Sequence, residues 1–120
     1  MPGSENHRLI SADKVEGTTV YNRSGDKLGS IHNVMIDKQS GKVAYAEMSF
    51  GGFLGICDRY HPLPWSVLDY DEQKSGYVVD LSKQTLEGAP SYSTQDRVDW
   101  EDEAWGRQVH DYYKVPPFWL

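Results

Sequence analysis

The sequence predicts a mainly β protein, all-β in class: a small β-barrel of about six strands with a short C-terminal helical tail packed on it. Three observations carry this. β-branched and aromatic runs of four to eight residues recur between turns rich in Gly, Ser and Asp from Gly17 to Ser82, the pattern of successive hairpins. After Ser93 the period changes: Val98, Trp105, Val109 and Tyr112 stand at i, i+7, i+11 and i+14, one helical stripe. Finally, 120 residues with 38% hydrophobic and 25% charged side chains amount to one globular domain. The apolar content leans on eight Tyr, four Trp and three Phe, rings large enough to close a small core with few residues.

The chain divides into a polar, flexible N-terminus at 1–8, a barrel domain at 9–92 and an aromatic helical tail at 93–120. Leu9 and Ile10 anchor a short turn from Ser11 to Lys14. "GTTVYN" (Gly17 to Asn22) is the first strand, and a turn centred on Ser24, Gly25 and Asp26 follows. "SIHNVMID" (Ser30 to Asp37) has apolar groups on both faces, as in a barrel strand with cover outside. "KQSGK" is a hairpin turn, and "VAYAEMSF" (Val43 to Phe50) is the third strand. "RYHPLPW" (Arg59 to Trp65) reads as an extended edge segment, because proline cannot serve a central strand. "SVLDYD" (Ser66 to Asp71) and "YVVDLS" (Tyr77 to Ser82) are the last strands. Leu86 plugs inward, while Gly88 and Pro90 stop any helix there. In the tail Asp99 is the expected N-cap, and Pro116 and Pro117 end the helix.

Charge excludes some functions. Twelve Lys and Arg stand against 18 Asp and Glu, a formal net charge of −6. Nucleic-acid binding needs clustered cations that displace counterions from phosphates, so no nucleic acid is expected. A basic patch for anionic lipid is missing for the same reason. No apolar run reaches the ~20 residues of a membrane helix, and the N-terminus has no signal-peptide core. With one cysteine, Cys57, no internal disulfide can form, and the expected compartment is the cytoplasm.

The segment "GGFLGICDRYHPLPWSVL" (Gly51 to Leu68) holds most of the tempting chemistry. A phosphate loop would run into a helix N-terminus or a Gly-Lys-Ser/Thr step; here a proline-broken segment follows. Its glycines read instead as backbone freedom in a loop whose Phe53, Leu54 and Ile56 cover a barrel mouth. Cys57 sits beside Asp58, whose charge raises a thiol's pKa, and reads as incidental. His7, His32, His61 and His110 are scattered, and a metal site needs three or four converging ligands. Asp69, Asp71, Glu72 and Asp80 border turns, where solvated acids are ordinary. The expectation is therefore no catalytic residues, no cofactor and no metal. The tail aromatics Trp100, Trp105, Tyr113, Phe118 and Trp119 suit either packing within the chain or packing on a second copy.

Taken together, "GDKLGSI" (Gly25 to Ile31), "MIDKQSGKVAYA" (Met35 to Ala46), "FGGFLGI" (Phe50 to Ile56), "PLPWSVL" (Pro62 to Leu68) and "LEGAPSY" (Leu86 to Tyr92) resemble the PRC-barrel family. That family is defined on the cytoplasmic domain of the photosynthetic reaction-centre H subunit. The ending "DYYKVPPFW" (Asp111 to Trp119) resembles small stand-alone bacterial members. Cys57 departs from the small or acidic residue usual there. The resemblance implies a non-catalytic protein–protein interaction and assembly module, not an enzyme; the expected partners are an unknown protein and, in a homodimer, a second copy. A related barrel in a ribosome-maturation factor makes such work an alternative. A further alternative is a small-ligand-binding or enzymatic protein with a cleft between barrel and tail. The residues expected to meet a partner are Phe53, Leu54, Tyr60, His61 and Trp119.

Overall fold

The computed structural model describes residues 8–50 and 59–120. Helix α1 (Ala12–Val15) precedes strands β1 (Thr19–Asn22), β2 (Lys27–Ile36), β3 (Val43–Phe50) and β4 (Arg59–Pro64). A 3-10 turn at Trp65–Val67 leads to β5 (Asp69–Asp71) and β6 (Gly76–Val79). Helix α2 (Lys83–Glu87), strand β7 (Tyr92–Ser93) and helix α3 (Glu103–Tyr113) complete the chain. The strands form one sheet in the order β5-β6-β1-β2-β3-β4-β7. β1 and β6 pair in parallel, and the remaining pairings are antiparallel. The hydrogen-bonded ladder does not close, because β5 and β7 both end the sheet. It still wraps one core: Val20, Leu28, Ile31, Met48, Leu63 and Val79, drawn from five strands, bury together with Leu86.

The turns follow from local chemistry. Gly25 and Gly41 take φ of 89° and 78° in the β1–β2 and β2–β3 turns, a region that glycine enters without penalty. In the second turn the Asp37 carboxylate accepts hydrogen bonds from Ser40 Oγ (2.8 Å) and the Gln39 N–H (3.1 Å). Those bonds hold its pKa below the ordinary carboxylate value. Gly29 has a different reason. A Cβ there would stand 1.8 Å from the Ser49 carbonyl oxygen, so only glycine lets β2 and β3 approach so closely.

β2 carries a bulge: Ile31 faces Met48 and Asn33 faces Glu47, leaving His32 extra and outside. On β3 the side chains then alternate cleanly. Ala44, Ala46 and Met48 enter the barrel core, while Tyr45 and Glu47 point to the other face. All five are buried, which requires cover on both faces, and the tail supplies the outer one.

The expectation of an edge segment at Arg59 to Trp65 is met only in part: β4 ends at Pro64 and lies between β3 and the short β7. Pro62 and Pro64 are two residues apart, so their missing N–H groups fall on one side of the strand. The ladder with β3 runs unbroken from Tyr60 opposite Ser49 to Pro64 opposite Tyr45. On the other side β7 pairs only with Arg59 and Tyr60. The stretch His61–Pro64 is nonetheless buried, since α3 packs against β4.

Two expected elements differ. Residues Ser66 to Asp71 are not one strand: the 3-10 turn occupies Trp65–Val67, and β5 has only three residues. Trp65 is half-buried, with its ring centroid 5.3 Å from that of Tyr77. α3 is capped by Asp102, whose Oδ1 accepts from the N–H groups of Ala104 (3.0 Å) and Trp105 (3.3 Å); Asp99 serves the preceding turn through the Glu101 N–H. The buried stripe is Gly106, Val109, His110 and Tyr113. Val98 lies before the helix, and Tyr112 is exposed, its hydroxyl donating to the Thr85 carbonyl of α2 (2.5 Å). The helix stops at Lys114, which takes a left-handed φ of 58° ahead of Pro116.

Candidate functional site

The outer face of β3 and the tail together build a polar and aromatic seam. Glu47 is its centre. Asn33, opposite it on β2, donates from Nδ2 to Glu47 Oε1 (3.0 Å). The Tyr92 hydroxyl of β7 donates to Oε2. Burial first, then the bond and charge of Glu47, raise the Tyr92 pKa far above its ordinary value, so this hydroxyl stays a donor. The buried carboxylate thus has a neutral donor on each oxygen, the satisfaction a buried charge requires. The bond also ties β7, which leads into the tail, to the middle of β3.

Tyr45 forms the second half of the seam. Burial pushes its pKa up to about 12. Its hydroxyl lies 3.5 Å from His110 Nδ1, and that nitrogen donates to the Gly106 carbonyl one turn back (2.7 Å). The bond to a carbonyl fixes the proton on Nδ1. Around Tyr45 the rings of Trp100, His110 and Phe118 lie at centroid distances of 5.5, 5.3 and 5.6 Å. Trp119 meets Phe118 at 5.1 Å and nearly perpendicular, at 88°.

Between these rings lies a cavity of about 390 Å³. Tyr45, Trp100, Phe118 and Trp119 wall it, Gly106 forms part of its floor, and Glu101, Asp102 and Glu103 stand at its rim. A Cβ at Gly106 would meet the Trp119 ring at 3.1 Å and the Tyr45 hydroxyl at 3.3 Å; the missing side chain is what lets α3 sit this close. Among the described residues no three His, Cys, Asp or Glu side chains converge as a metal-binding group.

Of the five residues expected to meet a partner, Phe53 and Leu54 lie outside the described residues, as does Cys57. Tyr60 is half-buried and stacks on His32 at 4.3 Å. Trp119 is half-buried in the seam, with the Arg107 guanidinium 5.6 Å from its ring centroid. His61 departs from expectation. Strand alternation turns it inward with Leu63, beside Phe50, and it is 5% exposed. Burial, with the nearby Arg59 charge, lowers its pKa below 6.5 against an opposing bond to the Leu86 backbone. Its Nδ1 has no hydrogen-bond partner among the described residues. The acids near the strands are surface groups: Asp69 and Asp80 lie 3.7 and 3.8 Å from Arg23, and Asp71 caps a turn.

The seam residues Asn33, Tyr45, Glu47 and Trp100 were not expected as a group. The one sequence signal was Glu47 inside an otherwise apolar strand, where a charge demands partners that sequence alone does not name.

This geometry defines a class: a small, curled β-sheet module with a tail laid across its outer face. Residues 7–86 match the PRC-barrel domain model, and the chain belongs to the PRC-barrel family. Among solved structures, one resembling it is a 16S ribosomal RNA processing protein, RimM, from Pseudomonas aeruginosa. The two share 22% identity with a TM-score of 0.42, over 70% of this chain and 50% of that one. This chain therefore spans half the length of that protein. No curated protein matches. No helix among the described residues is long and apolar enough to cross a membrane.

Proposed function

We propose that this chain is a non-catalytic binding module, a cytoplasmic and homodimeric barrel that holds a partner protein against the rim of the seam. One observation carries this reading. At the centre of the seam Glu47 is engaged with Asn33 and Tyr92, while the outlying end of the tail stays apolar and open. Phe118 is 41% exposed and Leu120 82%. A catalytic site needs polar groups aimed at a substrate; a protein-binding surface needs exposed apolar and aromatic anchors beside a polar rim.

A photo-crosslinking side chain at position 118, with another at Lys38 in the β2–β3 turn as control, tests it in the native host. The expected result is one partner protein joined at 118 and absent at 38. Equal capture at both positions, or at neither, removes this surface from consideration. Sedimentation equilibrium of the purified chain tests the dimer.

A further inference from the structure

The seam cavity has a composition unlike the surface around it. Four rings wall it, and no Lys or Arg among the described residues lines it. The rings are mutually inclined, by 46° for Tyr45 with Trp100, 75° for Tyr45 with Phe118 and 88° for Phe118 with Trp119. They therefore meet edge to face or tilted rather than stacked in one plane, and the cavity is lined by ring edges as well as faces. A π face is electron-rich and attracts cations, most strongly when the ring is Trp. The Arg107 guanidinium already lies over the Trp119 ring from outside the cavity.

We propose that this cavity is a binding site for a small organic cation with a quaternary or methylated ammonium head. Each part of the site argues for that class. The rings supply soft, directional attraction and ample apolar contact, which a methylated ammonium needs and a strongly hydrated metal ion does not. Rings cannot ligate a hard cation, which requires oxygen donors on most sides. The three rim carboxylates set the sign of the field. The α3 N-terminus contributes only about +0.5 of a charge, and Asp102 Oδ1 is engaged in capping it. Glu101 and Glu103 are exposed at the mouth and disfavour an anion. The volume, about 390 Å³, falls at the small end of the ~300–1,000 Å³ range of small-molecule sites. That room suits a free small cation. The proposal is independent of the partner protein proposed above and is read on the purified chain alone.

The test is an NMR titration of the whole chain, following the indole N–H signals of its four tryptophans. Choline and tetramethylammonium are the probes, 3,3-dimethylbutan-1-ol is the neutral isostere of choline, and sodium chloride holds ionic strength constant. Saturable shifts at Trp100 and Trp119 are expected, with affinity for choline about tenfold above that for the isostere, the scale of one good cation–π contact. The double variant Glu101→Gln/Glu103→Gln alters only exposed side chains. It should weaken choline several-fold and leave the isostere unchanged, because only the cation responds to rim charge. Trp100→Leu should weaken choline by about tenfold, with unchanged amide spectra elsewhere reporting an intact fold. Equal affinity for choline and its isostere overturns the proposal. So does the absence of saturable shifts at Trp100 and Trp119, or a trimethyllysine peptide that binds when choline does not.

Discussion

Replacing Tyr92 by Phe removes one oxygen and tests whether the seam network holds the tail to the barrel. The ring stays, so its contacts with Trp100 at 6.0 Å and Trp105 at 6.2 Å are retained. What is lost is the donor to Glu47 Oε2. Glu47 is buried, and among the described residues its other side-chain donor is Asn33, on Oε1. Water therefore replaces the lost bond poorly. Hydrogen bonds to charged groups contribute about 1.5–3 kcal/mol, and an unpaired buried oxygen puts the loss toward the upper end, about 2–3 kcal/mol. At about 2.1 cal/mol/K per residue the unfolding entropy of such a chain is about 250 cal/mol/K, so Tm should fall by about 8–12 °C. Urea unfolding followed by tryptophan fluorescence measures this, with an unchanged m-value showing that the same surface is exposed. A double-mutant cycle with Glu47→Gln should return a coupling of at least about 1 kcal/mol. A loss below about 0.5 kcal/mol, or a coupling near zero, would refute the claim that this bond fastens the seam.

Gly29→Ala should cost about 3 kcal/mol or more, because its Cβ would collide with backbone, the Ser49 carbonyl at 1.8 Å, and neither strand can move aside without breaking the ladder; a midpoint like the parent's in chemical denaturation would contradict the placement of β2 on β3. His61 is neutral in the fold with a pKa lowered below 6.5. Above about pH 6.5 both folded and unfolded chains carry it neutral. As pH falls below that value the unfolded chain takes up the proton first, so stability declines toward the lowered folded value. His61→Gln should flatten that part of the stability–pH curve, and parallel curves would show that His61 is not its source. Deleting 93–120 removes Ser93 of β7, α3 and the tail rings that cover Tyr45; light scattering should then show association and melting a lower Tm, whereas a monodisperse barrel with an unchanged midpoint would make the tail an independent appendage.

The sequence by itself determined the β class, the turn positions, the third strand to the residue and the existence of a tail helix. These are local matters: β-branched runs, glycines at positive φ and prolines act on their own neighbours. The exposure of individual residues was decided only by tertiary structure. His61 is expected from sequence to meet a partner from an extended edge segment, but strand alternation and the cover of α3 bury it. The helical stripe was read one residue out of phase, because its buried face contains Gly106 and His110, neither of which counts as apolar in a periodicity. Gly106 is buried because Trp119 needs its space, and His110 because the Gly106 carbonyl satisfies its proton. The seam was illegible for the same reason. Glu47, Asn33 and Tyr92 are separated by up to 59 residues in sequence, and only pairing of β3 with β2, and of β7 with β4, brings the two donors to one carboxylate. The ring-walled cavity likewise joins Tyr45 of the barrel to Trp119 of the tail, a meeting that depends on how closely a helix with a glycine in its middle can lie on a sheet.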